Sequence, residues 1–141
     1  MNEKILLVDD DAAVRRMLFR VLDSESYQVT TAGNAKEALE FARRERPDLT
    51  VLDINLSRDN GWELYKSLSN ENLLMPIVVI TARSSKTTPA LVSGAGALLE
   101  KPLDLPKLLW TVRHFLDDSA AANAKRKNGR PARDKAMMRK G

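Results

Sequence analysis

Short apolar runs alternate with amphipathic stretches along most of this chain, and that alternation restricts the fold more than any other feature. Ile5-Leu6-Leu7-Val8, Leu49-Thr50-Val51-Leu52 and Ile77-Val78-Val79-Ile80 are nearly continuous in apolar residues, the pattern of strands buried on both faces. Gln28-Val29-Thr30-Thr31 and Ala97-Leu98-Leu99 read as two weaker strands. Val14, Met17, Leu18, Val21 and Leu22 recur at three- and four-residue spacing, as do Ala35, Ala38, Leu39 and Ala42, which places each set along one side of a helix. Leu64 and Leu68 mark a third helix, and Leu105, Leu108, Leu109, Val112 and Leu116 a strong last one. Asp11, Asn34 with Glu37, and Asp104 stand where helix N-caps belong. Strands alternating with helices predict right-handed crossovers and a doubly wound α/β domain, its parallel sheet covered on both sides.

Composition narrows the chemistry. With 141 residues the chain is expected to form one domain, with no room for a second full one. No signal-peptide pattern precedes the first strand and no apolar run is long enough to cross a bilayer, so a cytoplasmic location is expected. There is no cysteine and one histidine, His114, so thiol chemistry is excluded and any metal must be held by oxygen. His114 reads as a solvated helix residue, Trp110 as packing or half exposed on the last helix, and Trp62 as loop packing. The net charge of +4 joins two unlike parts: residues 119–141 hold eight Lys and Arg against one Asp, and residues 1–118 hold fifteen against eighteen Asp and Glu. One folded domain at 1–118 and a basic tail at 119–141, flexible or partly helical, are therefore expected.

In a parallel α/β sheet, ligands bind beyond the carboxyl ends of the strands. Asp9 and Asp10 end the first strand, Asp53 the third and Thr81 the fourth, and Lys101 follows the fifth. These side chains can share one rim although they are far apart in sequence. Crowded carboxylates raise one another's pKa unless a cation sits among them, and hard oxygen donors suit Mg2+. An Asp carboxylate is a poor nucleophile toward an anion unless the charge between them is neutralised. Lys101 and the Thr81 hydroxyl can then meet the oxygens of a transferred phosphoryl group.

The sequence resembles the receiver domains of two-component response regulators through Ile5-Leu6-Leu7-Val8-Asp9-Asp10-Asp11, Leu52-Asp53-Ile54-Asn55-Leu56 with Gly61, Ile80-Thr81-Ala82, Gly94-Ala95 and Glu100-Lys101-Pro102-Leu103. The resemblance implies a flavodoxin-like sheet of order 2-1-3-4-5 and a stand-alone regulator acting through a downstream protein. It makes Asp53 the phosphoacceptor for a sensor histidine kinase or a histidine phosphotransfer protein in a phosphorelay. Asp9, Asp10, Asp53 and the backbone carbonyl of Asn55 would hold Mg2+, Thr81 and Lys101 would sense the phosphoryl group, and the Lys101-Pro102 peptide would be cis. Such a protein is no enzyme in the ordinary sense, since it catalyses only its own Mg2+-dependent phosphorylation and dephosphorylation.

Several positions depart from the family pattern. Leu98 stands where receivers usually carry an aromatic, Ser57 replaces a common proline, and Pro89 falls where the helix after the fourth strand should form. That helix is expected to be short or irregular. Asn55 and Arg83 occupy positions that tend to set phosphoryl lifetime. In the tail, Lys125, Arg126, Lys127, Arg130 and Arg133 surround Gly129-Arg130-Pro131, a weak match to segments that enter a narrow minor groove. A receiver whose tail contacts nucleic acid, and a receiver-fold scaffold that is never phosphorylated, are the alternatives. A third is a haloacid-dehalogenase-like phosphatase with Asp9 as nucleophile, for which no later acidic metal motif is present.

Overall fold

In the computed structural model, which describes residues 2–82, 96–128, 132–134 and 136–137, the elements follow the predicted order. They are β1 (Lys4–Val8), α1 (Ala12–Asp23), β2 (Gln28–Ala32), α2 (Ala35–Glu45), β3 (Leu49–Asp53), α3 (Gly61–Glu71), β4 (Ile77–Thr81), β5 (Gly96–Glu100) and α4 (Leu105–Asn128). A short antiparallel ladder, Ala132–Asp134 with Ala136–Met137, ends the described chain. The helix expected between β4 and β5, with Pro89, Arg83 and Gly94-Ala95, falls outside the described residues.

The five strands form one sheet of order β2-β1-β3-β4-β5 with every pair parallel. Side chains alternate between the faces of a strand, and the core divides accordingly. Ile5, Leu7, Val51, Val78 and Ile80 pack with Leu18 and Leu22 of α1 and with Leu108, Val112 and Leu116 of α4. Leu6, Val8, Leu52 and Val79 pack on the other side with Ala38 and Ala42 of α2 and Leu64, Tyr65 and Leu68 of α3. All residues of β3 and β4 are buried, whereas edge strand β2 is mostly half-buried, which explains why β2 had the weaker apolar signal. One stripe residue strays: Met17 is 41% exposed while Leu18 and Leu22 are fully covered. The buried face of α1 is centred on those two leucines, with Val14 and Phe19 at its edges.

The caps form as expected. The Asp11 carboxylate accepts from the backbone N–H groups of Ala13 and Val14. Asn34 Oδ1 accepts from Glu37 N, while Glu37 Oε1 accepts from Gly33 N. Asp104 Oδ1 accepts from Lys107 N. Each such cap satisfies helix-terminal N–H groups that have no partner in the helix itself. Asn60 caps α3 through Trp62 N and Glu63 N, and Gly61 lets that helix start against the chain leaving β3. A Cβ at Gly61 would lie 2.0 Å from the Ile54 carbonyl oxygen, a distance no side chain can occupy.

Helix α4 does not stop at 118 but runs to Asn128. Antiparallel to the strands, it carries Ser119 to the opposite rim, where Ser119 Oγ donates to the Leu74 carbonyl at 3.3 Å. The alanines at 120–122 are strong helix formers and continue the helix into the segment expected to be partly helical.

Two substitutions on α3 test this packing in opposite directions. Gly61→Ala should lower stability by about 2–3 kcal/mol through the clash with Ile54. The Tyr65 hydroxyl is buried with no hydrogen-bond partner among the described residues, so Tyr65→Phe should be neutral or stabilising by up to about 1 kcal/mol. Urea unfolding of both variants at neutral pH provides the comparison.

Candidate functional site

Neighbouring strands in a parallel sheet end on the same rim, so the sheet order decides which strand-end side chains meet. β1, β3, β4 and β5 lie side by side. Asp9 follows β1, Asp53 closes β3, Thr81 closes β4 and Lys101 follows β5. Backbone bonds extend the ladder past the strands, with Ile54 N donating to Ile80 O and Lys101 N to Thr81 O, both at 2.9 Å. Asp9, Asp53 and Thr81 are 1%, 2% and 2% exposed.

Lys101 Nζ donates to Asp53 Oδ2 at 2.8 Å, and Asn55 N donates to Asp53 Oδ1 at 2.9 Å. Asp9 Oδ1 accepts from Asp11 N at 2.9 Å, while Asp9 Oδ2 is buried with no hydrogen-bond partner among the described residues. The Lys101-Pro102 peptide is cis, as expected.

Asp10 is turned elsewhere. Its Oδ2 accepts from both the backbone N–H and the hydroxyl of Ser57, each at 2.6 Å. The Asn55 side chain reaches toward β4, its Oδ1 accepting from Ala82 N at 2.7 Å and more loosely from Thr81 Oγ1 at 3.5 Å.

Sequence reasoning missed three of these partners. Ser57 is visible in the sequence only as a replacement for proline, and Asn55 only as a backbone ligand and a position that tends to set phosphoryl lifetime, not as a side chain bonded to Ala82 N. Arg15, whose Nη1 donates to the Asp9 carbonyl at 2.6 Å, gave no signal beyond its place on α1. Of the basic residues of the tail, Lys125, Arg126 and Lys127 fall within α4 and Arg133 within the short ladder. Arg130 is outside the described residues.

Burial is the main reason that Asp9 is pushed up to about 6, with the Asp53 charge adding to the effect and the Asp11 N–H and Lys101 opposing it. Asp10 moves the other way, because the Ser57 hydroxyl and then the Ser57 N–H stabilise its charged form. Lys101 is raised chiefly by its hydrogen bond to Asp53. Two buried carboxylates with one cation beside them leave excess negative charge in a poorly solvated place, which favours a further cation.

The donor set fits a hard divalent ion in part. Asp9 offers a buried oxygen with no hydrogen-bond partner among the described residues, and the Asp53 and Asp10 charges act on it; carboxylate oxygens are ligands such ions prefer. Among the described residues no three acidic or histidine side chains stand close enough to hold a metal as they are.

The model of the response regulator receiver domain matches residues 5–113. The chain belongs to that family. The receiver domain covers both core faces and every residue of the strand-end cluster. The chain is similar to the response regulator MprA of Mycobacterium leprae, at 41% identity over 128 residues, 86% of this chain and 56% of that protein. It is also similar to MprA of Mycolicibacterium vanbaalenii, at 39% identity over 88% of this chain and 57% of the relative. The chain thus spans a little over half the length of the curated relatives it matches. Among solved structures, a CheY-like receiver domain protein from Methanospirillum hungatei superposes with a TM-score of 0.80 at 28% identity, over 86% of this chain and 99% of that one. Chemotaxis protein CheY4 of Vibrio cholerae superposes at 0.73 with 30% identity, over 82% and 99%. Membership of the family agrees with phosphoryl-accepting two-component signalling.

The raised Asp9 pKa makes a signed prediction for this receiver. The folded state holds the Asp9 proton up to about pH 6, against an ordinary value of 3.8, so protonation at Asp9 favours folding. That contribution is fully present below the ordinary value and is lost as pH rises through about 6. Asp9→Asn, which cannot ionise, should therefore exceed the wild type in stability at pH 7.5 by on the order of 1–2 kcal/mol without divalent ions. The gap should close toward pH 4, as read by thermal or urea unfolding across that range.

Proposed function

We propose that this receiver accepts a phosphoryl group on Asp53 from a phosphohistidine of a sensor histidine kinase or phosphotransfer protein, and signals by changing its affinity for a partner. The observation that carries this reading is the 2.8 Å pairing of Lys101 Nζ with the buried Asp53 carboxylate at the ends of β5 and β3. The pairing joins a buried carboxylate to a cation whose side chain is partly open to solvent.

In the transfer, an Asp53 carboxylate oxygen forms a bond to phosphorus as the phosphorus–nitrogen bond to the donor imidazole breaks. The imidazole leaves with the electron pair and takes up a proton. Lys101, about one-third exposed at its side chain, shifts from the carboxylate to a phosphoryl oxygen and stays within reach as a point charge. The Thr81 hydroxyl exchanges its long bond to Asn55 for one to another phosphoryl oxygen. Asn55 N continues to orient the Asp53 carboxylate. Mg2+ held by Asp9, Asp10, Asp53 and the backbone carbonyl of Asn55 would neutralise the charge that separates the carboxylate from the incoming phosphoryl group.

A new dianion at the Asp53 end of β3 alters which loop contacts are favourable, and that difference is what a partner reads. The coupling need be only about 1–3 kcal/mol to change partner affinity five- to a hundredfold.

Intact mass spectrometry after incubation with acetyl phosphate tests the chemistry. A gain of about 80 Da should appear in the wild type with Mg2+ and be absent in Asp53→Asn or after chelation. A gain that survives Asp53→Asn and disappears in Asp9→Asn would move the nucleophile to Asp9. No gain from either acetyl phosphate or a phosphorylated kinase would leave a binding scaffold.

A further inference from the structure

The metal reading above requires the Asp10 carboxylate, yet that carboxylate is already engaged. Asp10 Oδ2 accepts two hydrogen bonds from one residue, Ser57 N and Ser57 Oγ, each at 2.6 Å. Both donors come from the loop after β3, 47 positions away in sequence. That loop is fixed from its other side as well, because Asp59 Oδ2 accepts from Ala35 N at the start of α2 at 3.0 Å. Asn60 then caps α3, and Gly61 packs against Ile54. Ser57 is thus presented on a held segment and cannot simply follow Asp10 as that side chain turns.

We propose that Ser57 is a positioning residue that holds Asp10 in a metal-free orientation, so that divalent-ion binding at Asp9 and Asp53 must first break the Ser57–Asp10 pair. The proposal rests on the metal site described under the proposed function. Short hydrogen bonds to a carboxylate are among the stronger ones in proteins. An ion that needs the same oxygen competes with them directly, and Ser57 therefore lowers the apparent affinity for the ion. Asp9 contributes its Oδ2 without breaking a hydrogen bond among the described residues, so Ser57 competes with the ion through Asp10.

The two donors of Ser57 can be removed in steps. Ser57→Ala deletes the hydroxyl and keeps the N–H; Ser57→Pro deletes both; Ser57→Thr keeps both. The side chain is exposed, so Ser57→Ala should fold as the wild type does, which a thermal melt checks.

Isothermal titration of Mg2+ into each protein, in the absence of any phosphodonor, should show Ser57→Ala binding about three- to tenfold more tightly than the wild type. Ser57→Pro should bind at least as tightly as Ser57→Ala, and Ser57→Thr should return to the wild-type affinity. Recovery with threonine separates a hydrogen-bonding role from a change in loop shape. Equal affinities for the wild type and Ser57→Ala, with binding lost in Asp10→Asn, would overturn the role of Ser57 while leaving the metal site intact. Binding unaffected by both Asp9→Asn and Asp10→Asn, or no binding by any variant, would overturn the metal site and the Ser57 proposal with it.

Discussion

Asp9 and Asp53 are held almost wholly out of water at the ends of adjacent strands, and much of the surrounding structure answers to the electrostatic cost of that placement. A buried carboxylate is stable only when it is protonated, hydrogen-bonded or paired. Asp53 is paired with Lys101 and takes the Asn55 N–H; Asp9 takes the Asp11 N–H on one oxygen and leaves the other unbonded. Burial raises the pKa of Asp9. The site is thus built with unspent affinity for positive charge, and the sheet around it must be rigid enough to keep the carboxylates from escaping to solvent.

That rigidity comes from the two core layers. Central strands β3 and β4 are buried throughout, with α1 and α4 on one face and α2 and α3 on the other. Backbone bonds continue the ladder beyond the strands to Ile54 and Lys101, so the reactive side chains project from a fixed frame. The loops are bound more lightly. Ser57 reaches Asp10, Asn55 reaches Ala82, and Asp59 reaches Ala35. The first two contacts join loop to loop and the third joins a loop to the start of α2, each through one or two hydrogen bonds.

The sheet, its helices and the strand-end cluster were legible in the sequence because each rests on a local pattern. Buried strands announce themselves as apolar runs, and a helix as a three- and four-residue stripe. Met17 fitted the stripe of α1 but lies at its edge, since periodicity gives the direction of a buried face and not its width. The tail from 119, read from a change in charge as flexible or partly helical, continues α4 through the alanines to Asn128. Charge composition reports on solvent and partners; helix propensity decides whether the backbone continues.

By itself the sequence determined that Asp9, Asp10, Asp53, Thr81 and Lys101 stand at the ends of parallel strands, and hence on one rim, because strand direction and sheet connectivity leave few other arrangements. Tertiary structure alone decided how those groups pair. Lys101 chooses Asp53, the Asn55 side chain turns to Ala82, and Asp10 turns to Ser57. These choices join residues between 27 and 48 positions apart in sequence. They depend on loop conformations set by many weak contacts at once, none of which leaves a periodic trace in the chain.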